Sequence, residues 1–259
     1  MDPKVPCPSV SLRGTQGNGV QITKTPTAKG PQGSLGRFGL PVDCKRILIV
    51  GAGGFGREVL QWARDAWPDA CDRIGGFLSD DLRRLDGFSA GVGILSAVGD
   101  YRSVAGDYVL LGIGVPYSRR YVAEQLQSRG ARFLTLVHPS AIVAASSSLG
   151  DGAIVCPFAV ISDSASLGRC VLVNYHASLG HDAEAGDFAV LSPYATLGGG
   201  AQIADEVFLG LNASVGPSIK VGSRTKVSAN SCVLSNTPVD SIVFGVPGRI
   251  VKRVDVAHK

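Results

Sequence analysis

From Pro139 to Asp240 the chain carries an apolar residue at every sixth position, in seventeen consecutive hexads with no apparent insertion or deletion. The fifth residue of each hexad runs Val143, Leu149, Val155, Ile161 and so on to Val239, and all but Ala185 are Ile, Leu or Val. The third residue is mostly Ala, Ser or Thr, and the sixth is Gly eight times, as at Gly150, Gly168, Gly180 and Gly222. One large inward side chain per six residues predicts a short strand that turns at each repeat, with three strands closing a triangular coil of about eighteen residues. Coils stacked about 4.8 Å apart pair their backbones and fill the triangle with aliphatic columns, each buried aliphatic contributing about 1.5–3 kcal/mol. Seventeen hexads make nearly six coils of a parallel β-helix.

Upstream the period changes. Ile47–Val50 reads as a strand, followed by a Gly-rich turn and then Val59, Leu60 and Ala63 at helical spacing. A second strand is expected at Ile74–Leu78 and a third at Tyr108–Ile113, the latter leading through Pro116 into a helix with Tyr121, Val122 and Leu126. These elements predict a small parallel, Rossmann-like α/β unit. The expected organisation is a disordered leader over 1–44, the α/β unit over 45–136, the β-helix with its C-terminal cap over 137–253, and a tail over 254–259. The leader is assigned on its Gly, Pro, Ser, Thr and Gln content and its lack of periodic apolar residues.

Charge narrows the partners. The 259 residues hold 25 Lys and Arg against 21 Asp and Glu, but residues 1–45 carry six of the basic and two of the acidic groups, leaving nineteen of each. A neutral folded part argues against a nucleic-acid surface. No run approaches a membrane span and the N-terminus lacks the apolar stretch of a secretory signal, so a cytoplasmic, membrane-free protein is expected. The six cysteines have no C-x-x-C pair and are read as reduced thiols.

A solenoid specifies architecture and not chemistry, so function is sought in residues that break the frame. His181 and Asp182 occupy the first two positions of a hexad, where side chains point outward. A carboxylate on one imidazole nitrogen leaves the other free to accept a proton, which makes a candidate general base. Their hexad is the one with Ala185, and eighteen residues after His181 comes Gly199, flanked by Gly198 and Gly200. Gly199 is therefore expected beside the histidine in the next rung, with a bare backbone for a ligand and an amide for a developing oxyanion. A second candidate is G-A-G-G-F-G, in which Gly51, Gly53 and Gly56 follow a strand and open a helix whose amides can cradle a phosphate. Asp80 and Asp81 end the next strand. The unit lacks a second mononucleotide half, so a nucleotide-linked substrate fits it better than a dinucleotide. Near the C-terminus Arg249, Lys252 and Arg253 are candidate phosphate partners or solvated charges of a cap.

Taken together, G-A-G-G-F-G-R-E-V, L-V-H-P-S-A, S-L-G-H-D and F-G-V-P-G-R, in this order between residues 46 and about 253, resemble the sugar O- and N-acyltransferases with a left-handed β-helix. These include acetyltransferases of UDP- or dTDP-linked 4-amino-sugars and sialic acid O-acetyltransferases. The resemblance implies the left-handed coil, acetyl-CoA as acyl donor, no metal, and a homotrimer with the donor between subunits. It also implies that His181 is the base, supported by Asp182. Gly53, Gly54, Phe55, Asp80, Asp81 and the loop at Gly114 would bind the nucleotide-sugar, and Val190, Gly199, Leu211 and Ala229 would line acetyl-CoA. Three positions depart from the family pattern: Phe55 where histidine is frequent, Ser79 before the acidic pair, and Ala229 in place of glycine. Two rivals follow from the same residues. His176 and His181 have the five-residue separation of γ-carbonic-anhydrase-like metal sites, and the prism alone would serve as a trimeric scaffold.

Overall fold

The computed structural model describes residues 37–252. Strand β1 (Arg46–Val50) is apolar along its length because both faces of its sheet are covered: Ile47, Leu48, Ile49 and Val50 are all 0% exposed. Helix α1 (Gly54–Ala66) follows and buries Val59, Leu60, Trp62 and Ala63. Strands β2 (Ile74–Leu78), β3 (Ile94–Ser96) and β4 (Asp107–Leu111) complete a parallel sheet of order β3-β2-β1-β4, and helix α2 (Pro116–Gln127) leaves β4 with proline in its first turn. The parallel strands and the helices after β1 and β4 agree with the expected small α/β unit. The agreement does not extend between β2 and β3, where residues 79–93 form turns and no helix.

The hexads fold as the period demands. Up to the last coil, each two-residue strand pairs in parallel with the strand eighteen residues later, as Leu172 with Val190 and Ser178 with Thr196. The pairings build three faces. The first holds Leu136–Val137, Ile154–Val155, Leu172–Val173, Val190–Leu191, Phe208–Leu209 and Lys226–Val227. The second runs from Ile142–Val143 to Cys232–Val233, and the third from Ser148–Leu149 to Lys220–Val221. Fifth-position aliphatics fill the column together with the small third-position residues Ala153, Ala159, Ala177 and Ala195, all 0% exposed. The second residue of nearly every corner has positive φ, from Phe158 (59°) through Asp182 (58°) to Asn230 (56°), which is the conformation that turns the chain in so few residues. Parallel registers and recurrent left-handed-region corners fit the left-handed β-helix that the resemblance implies.

The prism extends beyond the hexad frame at its start and falls short of it at its end. Leu136–Val137 already pairs with Ile154–Val155, one strand before the first counted hexad. At the other end Val221 bridges Thr237 and Val227 pairs with Val243, a coil of sixteen residues in place of eighteen. Val239, read as a core position, is consequently 56% exposed: Thr237, 7% exposed, takes the place above Val221 on the third face, and Val243 closes the column above Val227 on the first. The strand Ser241–Phe244 then reverses into Arg249–Lys252, an antiparallel pair that caps the last coil.

The α/β unit lies on the first face. Outward-pointing Ile154, Leu172 and Val190 share a cluster with Ile47, Val59, Trp62 and Phe77 and are at most 2% exposed. Of the segment read as a leader, 1–36 fall outside the described residues. Residues 37–44 pack: Cys44 is 2% exposed, Phe38 O accepts from Trp67 Nε1, and the Arg37 guanidinium donates to Ala144 O and Ser147 O. Among the described residues no helix is long and apolar enough to cross a membrane.

Candidate active site

His181 and Asp182 stand on the corner between the second and third faces, after Ser178–Leu179 and before Glu184–Ala185. Both side chains are largely exposed, 71% and 66%, and His181 Nδ1 lies 2.8 Å from Asp182 Oδ2. A carboxylate accepting at Nδ1 favours the tautomer with the ring proton there, which leaves Nε2, on the side of Gly199, as the proton acceptor. Asp182 reaches the ring from its neighbouring position because its backbone takes the left-handed corner conformation.

Gly199 lies in the rung above the imidazole, as the eighteen-residue count requires, and Gly200 N donates to His181 O across 2.8 Å. A Cβ on Gly199 would stand 2.4 Å from His181 Nε2 and 2.6 Å from its Cε1, so only glycine leaves the ring in this position. The Gly199 N–H has no hydrogen-bond partner among the described residues, which keeps a donor available one rung from the base. The arrangement offers a proton acceptor and an amide donor at one bare edge.

The second cluster forms where the parallel strands end. Gly51 turns with φ +93°, and a Cβ on Gly56 would meet Gly51 O at 1.8 Å, so helix and strand touch backbone to backbone. Gly53 caps α1 with no side-chain bond and the first turn holds no acidic residue, leaving its amides and the positive end of the helix dipole to an anion. Gly54 is open, with nothing within 4 Å of an added Cβ, whereas Phe55 turns its ring edge-on to Trp62 at 5.8 Å and so packs against its own helix. Asp80 Oδ1 accepts from Val98 N at 2.9 Å and Asp81 Oδ1 from Arg83 N at 3.1 Å, each keeping an oxygen free of these bonds. Gly114 follows β4, so the glycine loop, the acidic pair and Gly114 all come after the C-terminal ends of parallel strands of one sheet. Gly56→Ala is expected to cost about 3 kcal/mol or more, because the clash is with backbone and cannot be relieved by a rotamer. Urea unfolding followed by tryptophan fluorescence checks this, since both tryptophans, Trp62 and Trp67, belong to this unit.

The residues expected along acetyl-CoA separate. Leu211, 55% exposed, and Ala229 stack on the corner between the first and second faces, joined by Asn230 N donating to Leu211 O at 2.8 Å. Val190 is a correction: it is 2% exposed under the α/β unit on the first face and lines no open surface. Arg249 is exposed in the capping hairpin, and Lys252 ends it. His176 is not a neighbour of His181; it is on the first-second corner, stacked between Phe158 (5.1 Å) and Tyr194 (4.9 Å). Among the described residues no group of three or more His, Cys, Asp or Glu is placed to hold a metal ion.

Among the features that sequence reasoning missed, two lie near these sites. The Phe158, His176 and Tyr194 stack was readable, since the three are eighteen residues apart. The second, Arg84, whose guanidinium nitrogens lie 3.8 Å from the Cβ position of Gly53, had no signal because it comes from an irregular turn.

Fold and edge together define a class: parallel β-solenoids that carry a histidine-carboxylate pair on one corner. No family model matches the chain. A curated relative, UDP-N-acetylbacillosamine N-acetyltransferase of Bacillus subtilis, is 33% identical over 113 residues, 43% of this chain and 51% of the relative. The chain thus spans about half the length of the curated relative it matches. Two solved structures share the fold over 80% of this chain: PerB from Caulobacter crescentus in complex with CoA and GDP-perosamine (25% identity, 97% of that chain, TM-score 0.70), and the acetyltransferase domain of PglB from Neisseria gonorrhoeae in complex with acetyl coenzyme A (26%, 100%, TM-score 0.72).

Proposed function

We propose that this chain transfers an acetyl group from acetyl-CoA to the amino group of a nucleotide-linked 4-amino-sugar. The observation that carries the reading is the His181–Asp182 pair at 2.8 Å, with Nε2 directed at the unsubstituted backbone of Gly199. The sugar N-acetyltransferases named above support the substrate class, and those in complex with CoA or acetyl coenzyme A support the donor.

His181 Nε2 takes a proton from the amine as its nitrogen attacks the thioester carbonyl. The C–N bond forms, the Gly199 amide faces the oxyanion, and the C–S bond then breaks. The departing thiolate leaves as CoA thiol with the proton that His181 received, so no acyl-enzyme is required. Positioning supplies much of the rate, and a general base about 10²–10⁴-fold.

A single chain holds the two halves of this site apart. The α/β unit covers the first face, while His181 stands on the corner opposite that face. Leu211 and Ala229 occupy another corner. These placements support a homotrimer in which donor and acceptor meet at a groove between subunits, the α/β unit of 45–136 presenting the nucleotide-sugar and the solenoid of 137–253 the base. Arg249 and Lys252 are cations on the cap near the end of that column. Purified protein is expected to release CoA thiol from acetyl-CoA with a UDP-, dTDP- or GDP-linked 4-amino-sugar and to yield the amide. Absence of thiol release with all three, in protein that binds acetyl-CoA, would defeat the reading.

A further inference from the structure

Among the described residues Arg119 is the largest fully buried side chain, 0% exposed, and no carboxylate there bonds to it. Its partners are carbonyl oxygens. Nη1 donates to Leu111 O at 2.9 Å and Ile113 O at 2.6 Å, while Nε and Nη2 both donate to Cys170 O, at 3.1 and 2.9 Å. Burial pushes the guanidinium down to about 10, which leaves it protonated at neutral pH. A buried cation without a counter-charge is costly, and four charge-assisted bonds to fixed carbonyl dipoles are what offset it.

The three acceptors belong to two parts of the fold. Leu111 ends β4 and Ile113 lies between Gly112 and Gly114, whereas Cys170 is a corner of the solenoid between its third and first faces. The loop held on one side is in turn pressed against the phosphate-cradle loop: a Cβ on Gly112 would lie 2.8 Å from Gly56 Cα and 3.2 Å from Gly51 O. With backbone against backbone, neither loop shifts without the other. We infer that Arg119 is a positioning residue that fixes both nucleotide-sugar loops relative to the solenoid, and thereby sets where the acceptor amine is delivered. The inference rests on the proposed function for its consequence, though not for its geometry.

The planar fork spans two acceptor directions that one ammonium cannot, so Arg119→Lys separates charge from geometry, and Arg119→Met removes both. In full-length protein, Arg119→Lys is expected to raise KM for the nucleotide-sugar about tenfold while KM for acetyl-CoA stays within about twofold, with Arg119→Met more severe where it folds. Both KM values unchanged, or both rising together with a lowered melting temperature, would overturn the positioning role. Peptide-level hydrogen exchange provides a measure independent of any substrate. Residues 107–119 are expected to exchange about tenfold faster in Arg119→Lys while 154–191 are unaltered. Unaltered exchange at 107–119 overturns the anchor itself. Failure of the parent protein to acetylate any nucleotide-sugar, with the exchange difference present, would instead count against the proposed activity alone.

Discussion

His181→Ala is expected to lower turnover about 10²–10⁴-fold while the affinity for acetyl-CoA stays within about twofold. The split follows from exposure. The side chain is 71% exposed and bonded only to Asp182, so its removal leaves no cavity and no orphaned buried group. The column beneath is filled by Leu179, Leu197 and Ala183 and does not sense the change. Steady-state rates together with calorimetric titration of acetyl-CoA check both halves. Turnover equal to that of the parent would remove His181 from the chemistry, and a parallel loss of donor affinity would make it a binding group.

The second large effect is expected at Gly199, without touching any ionisable group. An added methyl group must occupy space 2.4 Å from Nε2, and the exposed imidazole is the part able to move. Gly199→Ala is therefore expected to swing the ring off its axis and reduce kcat about 10²-fold, in the range a misplacement of about 1 Å produces, with a melting temperature within a few degrees of the parent. Restoration of activity by a histidine-sized exogenous base would not be expected, since the methyl group also fills the approach to the Gly199 amide. A pH-rate profile and a melting curve measured on the same preparation distinguish this outcome from unfolding. A fully active Gly199→Ala would place the reacting atoms elsewhere.

Much of this was legible before any coordinates. The hexads specified strand, turn and coil length because a six-residue period is set by local sterics, and the eighteen-residue sum put Gly199 beside His181. The α/β unit was readable from its apolar runs and glycine turn, except for the β2–β3 connection, where residues 79–93 have no period to read. Other errors have a common origin in long-range contacts. Val190 was placed along acetyl-CoA by the resemblance, and the docking of Trp62 and its neighbours buries it. Val239 kept the frame in sequence while a sixteen-residue coil moved Thr237 into its place. Arg119 gave no signal in the sequence, since the carbonyl that two of its nitrogens share lies 51 residues away.

The regular corner also limits how such a chain can change in length. Because each hexad advances the backbone by one side of the triangle, an insertion of six residues ahead of His181 would rotate the imidazole by a third of a revolution, onto another edge. An insertion of eighteen would raise it by one storey and keep its azimuth. The histidine and the glycine above it thus share an edge because the coil between them keeps the full eighteen residues, which the last coil, closing in sixteen, does not.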